Sequence, residues 1–231
     1  MLEHLGQKLI AHVSIGSFSF SFDLITIIMT WVVIALLVAL ALFLRRSLRQ
    51  DTQEKPNRVQ AFLDILIDLL QKQLTSSFAS ERLARELFPF ISALFLFVLC
   101  SNWLSIIPYM ESPTKDLNVT ISLALLVFVM SQVFAIRMKG GMRYLRGFVE
   151  PYAFMLPLNV VGELARPVSH AFRLFGNIFG GSILITVVSV KFAPVIVPAG
   201  LNIYYGLFSG GVQAFVFAIL AVAYINVAVE S

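Results

Sequence analysis

The chain has 231 residues, 58% of them hydrophobic and only 13% charged, with a net charge of +4. A soluble domain carries about 25% charged residues, so there is too little polar surface here to clothe a globule in water. The composition is that of a polytopic membrane protein. Cys100, the only cysteine, lies in the apolar run ISALFLFVLC and reads as a small hydrophobe. No GxxxxGK[ST], HExxH or GxSxG pattern occurs, and the three histidines are scattered. No cofactor or metal is expected, and any nucleotide chemistry belongs to another chain.

A bilayer core of about 30 Å takes roughly 20 apolar helical residues to cross. Residues 24–44 form a first transmembrane helix, ending in Arg45–Arg46 rather than at a cleavage site. Residues 57–80 form an amphipathic interfacial helix, with Gln60, Asp64, Asp68 and Lys72 on one stripe and leucines over much of the rest. A tilted crossing is the other option for this segment, at the cost of finding partners for two aspartates. Residues 88–107 and 119–138 form a helical hairpin around the turn-rich PYMESPTKDLN. Residues 152–190 and 192–229 exceed one upright crossing each and are interrupted by Pro, Gly and single polar residues, which predicts two strongly tilted helices. The expected fold is an all-α integral membrane domain of five transmembrane helices plus one interfacial helix.

Arg45, Arg46, Arg49, Lys55 and Arg58 follow the first helix, and Arg137, Lys139, Arg143 and Arg146 follow the third. The opposite side carries only Lys8, Lys115 and Lys191, among four acidic residues. The positive-inside rule then puts the N-terminus outside and the C-terminus in the cytoplasm.

Polar groups inside the membrane are costly and are functional candidates by default. Arg173 stands foremost. Residues 174–190 alone could span about 26 Å, which would leave Arg173 at an interface. Against that, the 20 residues before it are also largely apolar, and Gly176, Gly180 and Gly181 would let another helix approach closely. On a continuous helix Arg166, His170, Arg173 and Asn177 form one stripe, with Pro167 near its start. The last helix offers Gly206, Ser209, Gly210, Gln213 and, on the same face, Tyr224. Gln213 is placed to reach Arg173 or Asn177, or to be satisfied structurally between helices.

RLFGN at 173–177, preceded by RPVSHAF and followed one helix later by VQAFVFAILAVAYI, closely resembles subunit a of F-type ATP synthases. SPTKDLNVT and RMKGG match in the same order, and the likeness runs from about Leu24 to Val229. The resemblance implies a non-catalytic subunit beside a rotating ring of c subunits, with b subunits of the peripheral stalk and the rest of the synthase as partners. It implies two half-channels passing H+ to and from ring carboxylates, with Arg173 as the essential separator. Asn177 and Gln213 match polar positions near the arginine, Asp116 and Asn118 the outer mouth, and Glu163 an acidic group near the inner exit. Ser182 and Gly206 stand where many relatives carry titratable groups. His170 is then a substitute relay, or the channel is wetter, or the ion is Na+. A bacterial inner membrane is the expected location. A secondary transporter with Arg173 anchoring an anion, and a structural scaffold, are the rival readings, although transporters of that kind often carry paired repeats and none is visible.

Overall fold

A computed structural model of the chain describes residues 10–15, 18–49, 68, 71–72, 78, 81–107, 110–149, 152–191 and 200–230. Five helices are long and apolar enough to cross a membrane: Leu24–Arg45, Leu83–Leu104, Leu117–Lys139, Leu156–Val188 and Gly200–Val229. The chain is an integral membrane protein, and nearly all of its described structure is helical.

One departure from an all-α fold stands at the N-terminus. Strands β1 (Ile10–Ile15) and β2 (Phe18–Asp23) pair antiparallel, with Ile10 opposite Asp23 and Ile15 opposite Phe18. The alternation FSFSFD has the period of a strand rather than of a helix. Counting apolar run lengths passes over so short a signal. Helix α1 (Leu24–Arg49) follows at once, its start capped by the Asp23 carboxylate, which accepts from the Ile25 amide at 3.1 Å.

α1 lies at the edge of the bundle. Val33 is its one buried residue among those described, while Trp31, Leu36, Val38, Leu42 and Phe43 face outward. An apolar exterior of this kind would be an aggregation liability in water and is the expected surface in lipid. The expected interfacial helix at 57–80 falls almost wholly outside the described residues. Asp68, Gln71 and Lys72 are helical and exposed, and Phe78 packs against the core.

The core forms where α2 (Glu81–Leu104), α3 (Leu117–Lys139) and the C-terminal helix α6 (Gly210–Glu230) meet. Leu87, Ile91, Leu94 and Val98 of α2 meet Val127 of α3 and Phe217, Ala218, Ala221, Val222 and Ile225 of α6. Alanines on α6 bring its backbone close to its neighbours, as packing in lipid requires. α2 begins seven residues earlier than the apolar run at 88–107 and ends three earlier, with turns from Ser105 to Ile107. α3 starts at an Asp116 cap, whose carboxylate accepts from the Asn118 amide at 2.8 Å. It ends at Gly140, whose φ of 82° is the left-handed conformation that favours glycine.

The connection after α3 is itself ordered. GMRYLRGFV, which carries two of the basic residues that orient the chain, forms the short helix α4 (Gly141–Val149). Next comes α5 (Leu156–Lys191), 36 residues running unbroken through Pro167. At 1.5 Å per residue it is about 54 Å long, well beyond one upright crossing. Residues 192–199 lie outside the described structure. Before α6 the chain is π-helical over Ile203–Ser209, which no sequence pattern had indicated. An added Cβ at Gly206 would come within 2.6 Å of Ile106, and one at Gly210 within 3.0 Å of Asn102. Gly210 therefore packs closely on α2, and Gly206 on the turn that follows it.

Candidate functional site

The site is built along α5. Arg173 is exposed, and its guanidinium makes no hydrogen bond or ion pair with any described residue. It shares the outward surface with Phe172, Gly176, Phe179, Gly180 and Ile183. Nothing lies within 4 Å of an added Cβ at Gly176 or Gly180, whereas Gly181 is pressed against the ring of Tyr205 at 2.7 Å. The three glycines thus divide: two leave the outer face open and one admits the neighbouring helix.

The residues of the predicted stripe divide as well. His170, 1% exposed, turns inward; its ring lies 3.8 Å from that of Phe217 and 5.3 Å from that of Tyr224, centre to centre. Asn177 faces the π-helical segment and exchanges hydrogen bonds with Ser209 at 3.1 Å, its amide donating to Oγ and its Oδ1 accepting from it. Gln213, 8% exposed, does not reach Arg173 or Asn177. Its Nε2 has no partner among the described residues, and Ser209 holds the place it was expected to fill.

Glu163 lies ten residues before Arg173, about 15 Å along the axis. It is the centre of a polar chain across three helices. Arg166 Nη1 lies 2.5 Å from its Oε2, and Gln132 Nε2 donates to its Oε1 at 2.9 Å. The Tyr144 hydroxyl of α4 in turn donates to Gln132 Oε1. Burial, and then the Glu163 carboxylate, push the Tyr144 phenol above its ordinary value. A cavity of about 480 Å³ opens here, lined by Lys139, Arg143, Tyr144, Asn159, Glu163 and Arg166 among others. Lys139 closes its floor by donating to the Ala228 carbonyl at 2.9 Å, a cation at the C-terminal end of α6.

On the other side of Arg173 the α5 side chains from Asn177 to Thr186 carry no charge. Ser182, nine residues on, donates to the Phe179 carbonyl of its own helix at 2.8 Å. It lines a space of about 30 Å³ with Ser105, Lys115, Asn202, Tyr205 and Gly206. Asp116 stays with its capping role, and Asn118 lines a separate apolar groove between α1, α2 and α3. His170 borders the Glu163–Arg166 side and not the Ser182 side.

A buried network went unnoticed in the sequence. Asn102 donates to the Gly210 carbonyl at 2.9 Å and accepts from Thr114 Oγ1 at 2.7 Å; Thr114 is bonded to Ser112 at 2.6 Å. Trp103 Nε1 donates to the Leu207 carbonyl at 3.2 Å. These side chains of α2 occupy carbonyls in and just after the π-helical segment. Asn102, Gln132 and Tyr144 were detectable as polar residues in apolar or amphipathic runs. Among the described residues no three His, Cys, Asp or Glu side chains gather as a metal site would need.

Comparison with known proteins gives the family. Residues 27–226 match the family model described as ATP synthase A chain. The chain is 38% identical over 200 residues to "ATP synthase subunit a 1" of Crocosphaera subtropica, covering 87% of this chain and 84% of that one. It is 37% identical over 207 residues to "ATP synthase subunit a 1" of Chlorobaculum parvum, covering 90% and 89%. It is 36% identical over 220 residues to "ATP synthase subunit a, sodium ion specific" of Propionigenium modestum, covering 87% and 73%. From the matched span, the motif around Arg173 and the five membrane helices, the chain belongs to the ATP synthase subunit a family.

Proposed function

We propose that this chain is the ion-translocating stator subunit of the membrane sector of an F-type ATP synthase. It passes H+ to and from carboxylates on a ring of c subunits and couples that flow to rotation and ATP synthesis. The observation that carries the reading is the position of Arg173: a cation on an outward, apolar helix face, with Gly176 and Gly180 open beside it. Inside a membrane such a charge calls for a counter-charge or water, and no described residue of the chain supplies a counter-charge. A ring carboxylate supplies one, and the glycines give the ring room.

A guanidinium stays charged at any accessible pH. It attracts an ionised carboxylate but takes no proton itself. At about 4 Å and an effective dielectric near 20 that attraction is roughly 4 kcal/mol. The ring site is held ionised beside Arg173, and a stray cation is repelled from the direct route between the two paths. One path begins at the 480 Å³ cavity with Glu163; the other passes Ser182 and the Asn177–Ser209 pair. Gln213, Tyr224, Asp116 and Asn118 are assigned to the walls and mouths of these paths. The basic cavity faces the cytoplasm of a bacterial inner membrane, with the N-terminus outside. The chain is non-catalytic by itself and works with the c-ring and the b subunits of the stalk. Neither the transporter nor the scaffold reading gains support from the family to which the chain belongs.

A second reading, with Na+ as the ion, draws on two observations. The relative from Propionigenium modestum is named as sodium ion specific, and neither Ser182 nor Gly206 offers a titratable group. One experiment tests both. In inverted vesicles carrying the whole synthase, ATP should drive acidification in the absence of Na+; Na+ uptake instead would select the second reading. Arg173→Leu should lower coupled transport by about three powers of ten, the rate equivalent of the attraction lost, with the subunit still present. Normal gradient-driven ATP synthesis by that variant would overturn the stator role of Arg173.

A further inference from the structure

His170 is buried to 1% exposure, and both its ring nitrogens lack a hydrogen-bond partner among the described residues. Interiors satisfy such atoms with protein groups or with ordered water. The imidazole borders a void of about 10 Å³ between α3, α5 and α6. That is about the room one water centre needs, ~10–15 Å³. Ser131, Glu163, Arg166 and Tyr224 supply the other polar side chains of its wall. Ser131 Oγ donates to the Phe128 carbonyl at 2.8 Å, which leaves its lone pairs free to accept. A buried water needs two to four polar partners, and this wall provides them.

The position of the void gives it a role. Glu163 and Arg166 line both this void and the 480 Å³ cavity, so the two spaces share a wall. His170 borders the void one helical turn before Arg173. We propose that His170 holds a buried water between α3, α5 and α6, and that this hydrated imidazole is the last station of the Glu163-side ion path before Arg173. The proposal rests on the stator reading and deepens it. It places His170 on the path opposite to the one with Ser182. Imidazole suits the task because its two nitrogens can donate at one edge and accept at the other. Phe217 and Tyr224 fix the ring plane from α6.

The test uses the whole synthase in vesicles. In His170→Leu, coupled ion transport should fall about tenfold, the rate equivalent of one lost hydrogen bond. His170→Gln keeps a donor and an acceptor and should restore most of it. Assembled His170→Leu with parental transport, or equal loss in both variants, would overturn the proposal. Should the leucine variant fail to assemble, a water-resolving map of the parent complex decides. Water density within hydrogen-bond distance of the imidazole supports the site, and nitrogens bonded only to protein groups refute it. Arg173→Leu, run alongside, separates the two levels. Loss there with no change in His170→Leu removes only the hydrated station, whereas normal transport in Arg173→Leu removes the stator reading itself.

Discussion

On the Glu163 side of Arg173, α5 carries full charges, joins a polar chain through Gln132 to Tyr144, and borders a cavity of about 480 Å³. On the Ser182 side its polar side chains from Asn177 to Thr186 are neutral, bonded to backbone or to Ser209, beside a space of about 30 Å³ that Lys115 also lines. One helix thus meets the cost of polar groups in a membrane in two ways. Where water can enter, charges pair and remain partly hydrated: the Glu163 and Arg166 side chains are 17% and 34% exposed. Where the space is small, Asn177, Ser182 and Thr186 are tied to nearby neutral partners. The contrast teaches that the two paths need not use similar residues.

The contrast can be broken most strongly with two matched glycines. Gly181→Ala, pressed on Tyr205, should lower stability by about 1–3 kcal/mol through overpacking. Gly162→Ala projects into the open cavity with nothing within 4 Å, and should gain about 0.5–1 kcal/mol of helix stability. The thermal midpoint for release of the subunit from the solubilised complex reads both. Equal destabilisation would show that the wide side is not open in the assembly.

A smaller effect sharpens the neutral side. Asn177→Leu removes the link to Ser209 and should cost about 1 kcal/mol in the same assay. Adding Ser209→Ala should cost little more, because the two residues share one interaction. Strict additivity would mean that they act apart.

The smallest effect belongs to the charged side and depends on pH. The Tyr144 phenol is raised from 10.0 by burial and then by Glu163. The folded state therefore holds this proton more tightly than the unfolded chain does. The contribution of the neutral phenol is complete below pH 10 and is lost as pH rises through the raised value. Tyr144→Phe should remove that alkaline step from the stability profile, and ultraviolet titration of the parent should show a late-ionising phenol. A profile unchanged by the substitution would detach Tyr144 from the Glu163 chain.

The five membrane helices were legible because an apolar run of about 20 residues has few other uses. Arg173 was legible because a guanidinium in such a run is rare, and its family could be read from RLFGN with its neighbouring motifs. The hairpin at Ile10–Asp23 was visible as FSFSFD but lay outside a search for long apolar runs. Helix α4 hid behind its arginines, which served to orient the chain. The rest depended on long-range geometry. Helical spacing put His170 and Arg173 on one stripe, yet one enters the seam with α6 and the other leaves it. The same spacing offered Gln213 as a partner for Asn177, and the backbone before α6 brought Ser209 there instead.

That backbone has a consequence for how this chain can change over time. A π-helical stretch such as Ile203–Ser209 is an α-helix that has absorbed extra length, and each residue added or removed turns everything beyond it by about 100°. Asn102 and Trp103 grip the Gly210 and Leu207 carbonyls and so fix the phase at which α6 starts. A single-residue deletion here would leave composition, hydropathy and length almost untouched. It would nevertheless rotate Gln213, Phe217 and Tyr224 together out of the seam they share with α5. Insertions and deletions in this short segment should therefore be far less tolerated than substitutions.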